Sequence, residues 1–261
     1  VERAHGEYVI ILDSDVVLPN AYMKAVDDAL SPSTGRAGEG LIAFGGPDAA
    51  HPSFTPVQKA ISYSMTSFFT TGGIRGGKKK LDKFYPRSFN MGIRRDVYLQ
   101  LGGFSKMRFG EDIDFSYRIV EAGYQPQLFP DAWVWHKRRT DFRKFFRQVY
   151  NSGIARINLE KRHPGTLKLV HLLPTVFTIG VVGCLLLAFS CWLFLLPVAI
   201  YGIIILVDSS IQNKSLKVGL LSIPAAFVQL IGYGLGFIES WWKRCVLKQD
   251  EFTAFEKNFY K

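Results

Sequence analysis

From Leu169 through Val207 the chain carries no Lys, Arg, Asp or Glu, and no other feature narrows its possible folds as much. At ~1.5 Å of rise per residue, such a run as helix is about twice as long as a hydrocarbon core is thick. It reads as two membrane-crossing helices, near 170–189 and 191–207, joined by a tight turn around Ser190. Pro174 and Pro197 are expected to kink them. A third candidate lies at 218–238, where Gly232, Gly234 and Gly236 would permit close helix packing. Trp241 and Trp242 then mark a membrane interface.

Charge is concentrated just ahead of this apolar region. The 261 residues sum to a net charge of +10, and between Lys137 and Lys168 stand ten Lys or Arg against two acids, Asp141 and Glu160. A basic excess abutting a membrane segment reads as a contact for anionic lipids and a signal for the cytoplasmic side. It does not read as a nucleic-acid surface, and no nucleic-acid motif accompanies it. Three spans would carry Lys243, Arg244 and Lys248 to the outer side, against the same rule, so a re-entrant third segment is the alternative. Cys184, Cys191 and Cys245 have neither disulfide-framework nor metal-type spacing.

The first 168 residues have the composition of a globular α/β domain. Tyr8 to Leu18, YVIILDSDVVL, is an apolar run entering Asp13, Ser14 and Asp15, and it predicts a strand buried on both faces with an acidic tip. Ligands of open α/β sheets bind beyond the carboxyl ends of strands, and side chains two apart on extended backbone project alike. Asp13 and Asp15 could therefore address one divalent cation carrying a diphosphate. The plainer alternative is a turn and helix cap.

Further along, a helix is expected over 19–30 with Ala21, Met23, Val26 and Leu30 as its apolar face, then a short strand at 41–44. A helix exposing its Ser and Thr is expected over 57–71, followed by a basic loop at 72–80, GGIRGGKKK. Residues 88–94 read as a strand leading into a helix that Gly102 and Gly103 stop. Gly110 to Arg118, GEDIDFSYR, opens a helix with Ile113, Tyr117 and Val120 at apolar spacing. Its acids also suit a helix N-terminus without any further role. Asp114 and Arg118 are spaced as an ion pair. Gln127 to His136 reads as extended, and 140–159 as an amphipathic basic helix lying in the membrane interface or packed against protein.

Taken in order, DSD at 13–15, NMGIRRDVYLQLGGF at 90–104 and GEDIDFSYRI at 110–119 resemble the inverting family 2 glycosyltransferases of the GT-A fold. The likeness covers about 4–158, the later part of their catalytic domain. It implies an N-terminally truncated chain, with the opening strands and much of the nucleotide pocket upstream and no activity in the piece alone. It also implies roles: Asp13 contacts the nucleotide sugar, and Asp15 ligates Mg²⁺ or Mn²⁺ with His136 as a further ligand of the metal or diphosphate. Asp112 serves as catalytic base, and Glu111 holds the acceptor or tunes that base. One carboxylate must take the acceptor hydroxyl's proton while a cation neutralises the departing diphosphate. Processive relatives carry Gln-x-x-Arg-Trp where this chain has Gln148-Val149-Tyr150-Asn151-Ser152. That departure favours transfer of one sugar to a discrete acceptor, for which Gln148 is a weak binding candidate.

The expected plan is a partial, Rossmann-like GT-A domain over 1–140, a basic interfacial helix and linker over 141–168, transmembrane helices over 169–242 and a polar tail over 243–261. The expected partners are a nucleotide-sugar donor, a lipid-linked or other glycan acceptor, and membrane lipids. A non-catalytic membrane scaffold that keeps a degenerate transferase domain is the alternative of another class.

Overall fold

The computed structural model describes residues 1–31, 40–72 and 84–255. In chain order the elements are β1 (Tyr8–Ile11), β2 (Val16–Val17), α1 (Tyr22–Leu30), β3 (Ala43–Gly45), β4 (Asp48–Ala49), α2 (Pro56–Thr66) and α3 (Phe68–Thr71). After them come β5 (Met91–Arg94), α4 (Arg95–Gln100), α5 (Glu111–Glu121), β6 (Gln127–Leu128), β7 (Val134–His136) and α6 (Phe142–Arg162). The chain ends in α7 (Leu173–Leu187), α8 (Leu196–Asn213) and α9 (Leu216–Trp241). Two compact units divide these elements: 1–52 with 84–137, and 53–72 with 138–255, among the described residues.

The first unit is mixed α/β. Four strands run in the order β1-β5-β3-β6, with β5 antiparallel to both neighbours and β6 parallel to β3. Three short strands run β2-β7-β4. The long apolar run does not form a single strand buried on both faces. Its β1 portion is half-buried and pairs only with β5 among the described residues. The chain then turns at Asp13–Asp15, where the Val16 N–H donates to the Asp13 carbonyl at 3.3 Å, and Val16 and Val17 pair with β7 instead. Polar residues inside an apolar run break a strand because they offer the backbone a turn.

Two helices present a different face from the one their spacing predicts. In α1 the buried residues are Tyr22, Val26 and Ala29, whereas Met23 is exposed. The Tyr22 hydroxyl sets this rotation by donating to Asn90 Oδ1 at 2.7 Å, and Asn90 Nδ2 donates onward to the Ala132 carbonyl at 2.7 Å. In α5, Phe115 and Ile119 are fully buried and Ile113 and Val120 only partly, because Phe115 packs edge-on against Tyr98 and Phe104. The chain between β3 and β4 needs Gly46: a Cβ there would lie 1.7 Å from the Ala132 carbonyl oxygen.

The second unit is helical. The segment expected as one helix over 57–71 is two, α2 and α3, broken at Ser67. Ser62, Ser64, Ser67 and Thr70 are buried, contrary to expectation, and hydroxyls there bond to nearby carbonyls: Ser64 to Ile61 at 2.8 Å and Thr70 to Ser64 at 2.5 Å. Beyond Gly72, the expected basic loop lies outside the described residues.

Among the described residues, three helical stretches are long and apolar enough to cross a membrane: Leu169–Leu187, Trp192–Asn213 and Leu216–Val246. The second outruns its expected end by including Asp208, whose carboxylate accepts from the Tyr63 hydroxyl at 2.6 Å and from Gln212 Nε2 at 2.9 Å. Pro174 and Pro197 sit in the first turns of α7 and α8, where no helical N–H is lost, and so do not kink them.

Helix α6 lies against α9 at backbone contact. A Cβ on Gly153 would stand 2.2 Å from the Tyr233 carbonyl oxygen, and one on Gly236 would stand 2.0 Å from that of Tyr150. The tail returns along α6, where the buried Asn151 side chain both accepts from the Ala254 N–H and donates to the Ala254 carbonyl, each at 2.9 Å.

Candidate functional site

The turn after β1 places Asp13 and Asp15 opposite the end of β7, because β2 pairs with β7 in a register that sets Val16 against His136. His136 Nε2 stands 3.3 Å from Asp15 Oδ1 and 3.8 Å from Asp13 Oδ2. Its other ring nitrogen, Nδ1, faces Asp48 Oδ2 at 3.7 Å, and Phe89 stacks on the imidazole with ring centroids 5.1 Å apart. Two strands and an aromatic plane thus hold the ring.

Asp13, Asp15 and His136 each offer one donor atom, and those atoms all lie within 4.8 Å of one another. Two carboxylates and one imidazole form a set that Mn²⁺ and Mg²⁺ accept, and Asp48 Oδ2 stands 3.7 Å behind the imidazole. The donor chemistry therefore fits a divalent cation.

The second acidic segment begins at Gly110, whose φ of 87° turns the chain into α5. Only glycine adopts that backbone without strain, and Glu111 and Asp112 follow at once. Asp112 is buried, and its carboxylate is held from two directions. Arg87 Nε donates to Oδ2 at 2.6 Å, with the Ser88 N–H at 3.4 Å on the same oxygen, and the Ile113 N–H donates to Oδ1 at 2.8 Å. Asp114 and Arg118 form the expected ion pair at 3.1 Å.

Charge ties the two acidic segments together. Burial pushes the Asp13 carboxyl above the usual range; Asp15 and Asp112 add to the rise, while His136 and the Ser88 hydroxyl oppose it. Burial likewise raises Glu111, helped by Asp112 and Asp13 and opposed by Arg87. Burial works against the charge on Arg87, but Asp112, Glu111 and Asp48 hold its guanidinium above its ordinary value.

A stability consequence follows for Glu111. A carboxyl raised in the folded state contributes stability that is complete below its unfolded value, about 4.3, and is lost as pH climbs through the raised one. Glu111→Gln is therefore expected to be more stable than the parent at pH 7, by about 1–3 °C in Tm, with the difference closing toward pH 4. Thermal unfolding in nanodiscs at both pH values measures it; an equal difference at both would contradict the assignment.

The structure gathers Asp13, Asp15, His136, Glu111 and Asp112 in the first unit. Gln148 belongs to α6 in the second, where its Oε1 accepts from Arg139 Nε at 3.1 Å. Arg87, Ser88 and Asp48 are members that sequence reasoning passed over. The usable signal is an arginine immediately before the strand expected over 88–94, which the structure pairs with β1.

No protein-family model matches this chain, and comparison with curated proteins finds no match.

Proposed function

We propose that the protein is a membrane-anchored glycosyltransferase of the inverting family 2, GT-A type. It moves a sugar from a nucleotide-sugar donor to an acceptor at the cytoplasmic membrane face, and a lipid-linked sugar or polyprenyl phosphate suits the anchoring. The observation that carries this reading is the cluster of Asp13, Asp15 and His136, whose donor atoms lie within 4.8 Å of one another, with Asp112 and Glu111, far along the chain, near enough to act on Asp13.

In this reading the acceptor oxygen attacks the anomeric carbon as the bond to the diphosphate breaks, with inversion. Asp112 takes the hydroxyl proton, and Glu111 contacts the acceptor. Asp13 contacts the nucleotide sugar. Asp15 and His136 would hold Mg²⁺ or Mn²⁺, which when bound neutralises charge on the leaving diphosphate.

The test uses the full-length protein in nanodiscs, supplied with uridine and guanosine diphosphate sugars and polyprenyl phosphate. Nucleoside diphosphate should be released, release should stop with EDTA and it should resume with Mn²⁺ or Mg²⁺. Absence of release from every donor with both metals would refute the transferase reading and leave the scaffold alternative.

A further inference from the structure

We infer that Arg87 is a positioning residue for Asp112, fixing the carboxylate that receives the acceptor's proton; this rests on the transferase reading above. A carboxylate has about four lone-pair sites on its two oxygens. Here three donors approach them: Arg87 Nε at 2.6 Å and the Ser88 N–H at 3.4 Å on Oδ2, and the Ile113 N–H at 2.8 Å on Oδ1. Among the described residues these are the donors to Asp112, leaving about one site for an incoming hydroxyl.

The arrangement is built from both sides. Arg87 and Ser88 belong to the segment that enters β5, whereas Asp112 and Ile113 belong to the first turn of α5. Asp112 therefore bridges a strand entrance and a helix start, with the Arg87 guanidinium bonded to it through Nε. The Asp112 side chain is 8% exposed and that of Arg87 34%, so the acid is the more deeply buried partner. Charge gives a second reason for an arginine at this place. Asp48, Glu111 and Asp112 all act on its guanidinium, and Arg87 balances part of that negative charge where a diphosphate would have to approach.

A brace that only held β5 to α5 would affect stability and leave turnover untouched once the protein had folded. A positioning residue acts on turnover and does so only through Asp112. The experiment is a double-mutant cycle on the full-length protein in nanodiscs, reading nucleoside diphosphate release for the parent, Arg87→Met, Arg87→Lys, Asp112→Asn and Arg87→Met with Asp112→Asn. Arg87→Met should lower kcat about a hundredfold, the scale of a misplaced reacting group, while KM for the donor stays within about twofold. Arg87→Lys should recover part of the loss, and it also serves as the folded variant if Arg87→Met proves unstable. In the Asp112→Asn background, removal of Arg87 should change kcat less than about threefold, because the group it positions is gone.

Independent, multiplying losses would overturn the inference. So would a donor KM raised tenfold or more at unchanged kcat, which would make Arg87 a contact for the diphosphate. A parent that releases nucleoside diphosphate while the losses multiply defeats this inference alone. A parent that turns over no donor defeats the transferase reading and this inference with it.

Discussion

Asp112→Asn is expected to lower kcat about a thousandfold, in the middle of the range for loss of a general base, with little change in donor KM. The substitution removes the proposed proton acceptor but keeps the shape: the amide oxygen can still accept from Arg87 and from the Ser88 N–H, while the amide nitrogen then meets the Ile113 N–H, which loses its acceptor. What disappears is the charge that pairs with the guanidinium: Arg87 Nε, 2.6 Å from Oδ2 in the parent, then faces a neutral group in a half-buried place. Some loss of stability should accompany the loss of turnover, and the two can be separated by measuring nucleoside diphosphate release well below the variant's unfolding temperature. A variant as active as the parent would remove Asp112 from the chemistry and undo the inference about Arg87 as well.

The second large effect is expected where the three donors meet. Asp15→Asn and His136→Ala should each weaken Mn²⁺ binding about 100-fold and lower release at fixed, subsaturating metal to match, with added Mn²⁺ recovering part of the activity. His136→Ala should be the more damaging to structure, since the imidazole lies against Phe89 and beside Asp48. Metal titration followed by Mn²⁺ electron paramagnetic resonance gives the affinity independently of turnover. Binding of Mn²⁺ at parental affinity by both variants would place the cation elsewhere.

What the residue order alone disclosed depended on whether a feature was local. The uncharged run from Leu169 to Val207 announces its helices because a bilayer demands length and apolarity and little else. Asp13, Asp15 and the acids after Gly110 stand out because each group interrupts an apolar pattern within a few residues. The partners of these acids do not. Arg87 meets Asp112 across 25 positions, and Asp48, inside Gly45-Gly46-Pro47-Asp48, reads as an ordinary turn. Helix rotation was also hidden: Tyr22 is buried in α1 because its hydroxyl finds Asn90, a contact that periodicity does not encode. The serines of α2 looked solvent-facing until their bonds to neighbouring carbonyls made burial inexpensive. Pro174 and Pro197 look like kinks in the sequence because their distance from a helix start depends on where the helix begins, and boundaries are what patterns resolve worst.

Between β3 and β4 there are only two residues, Gly46 and Pro47, so one short crank joins the four-stranded sheet to the three-stranded one. Phe44 on its near arm is stacked on Phe129 in the core, and Asp48 on its far arm faces His136. A glycine that cannot accept a side chain and a proline with a fixed φ leave the crank almost no play. The carboxylate behind the imidazole is thus placed from the core packing of Phe44 across a two-residue axle.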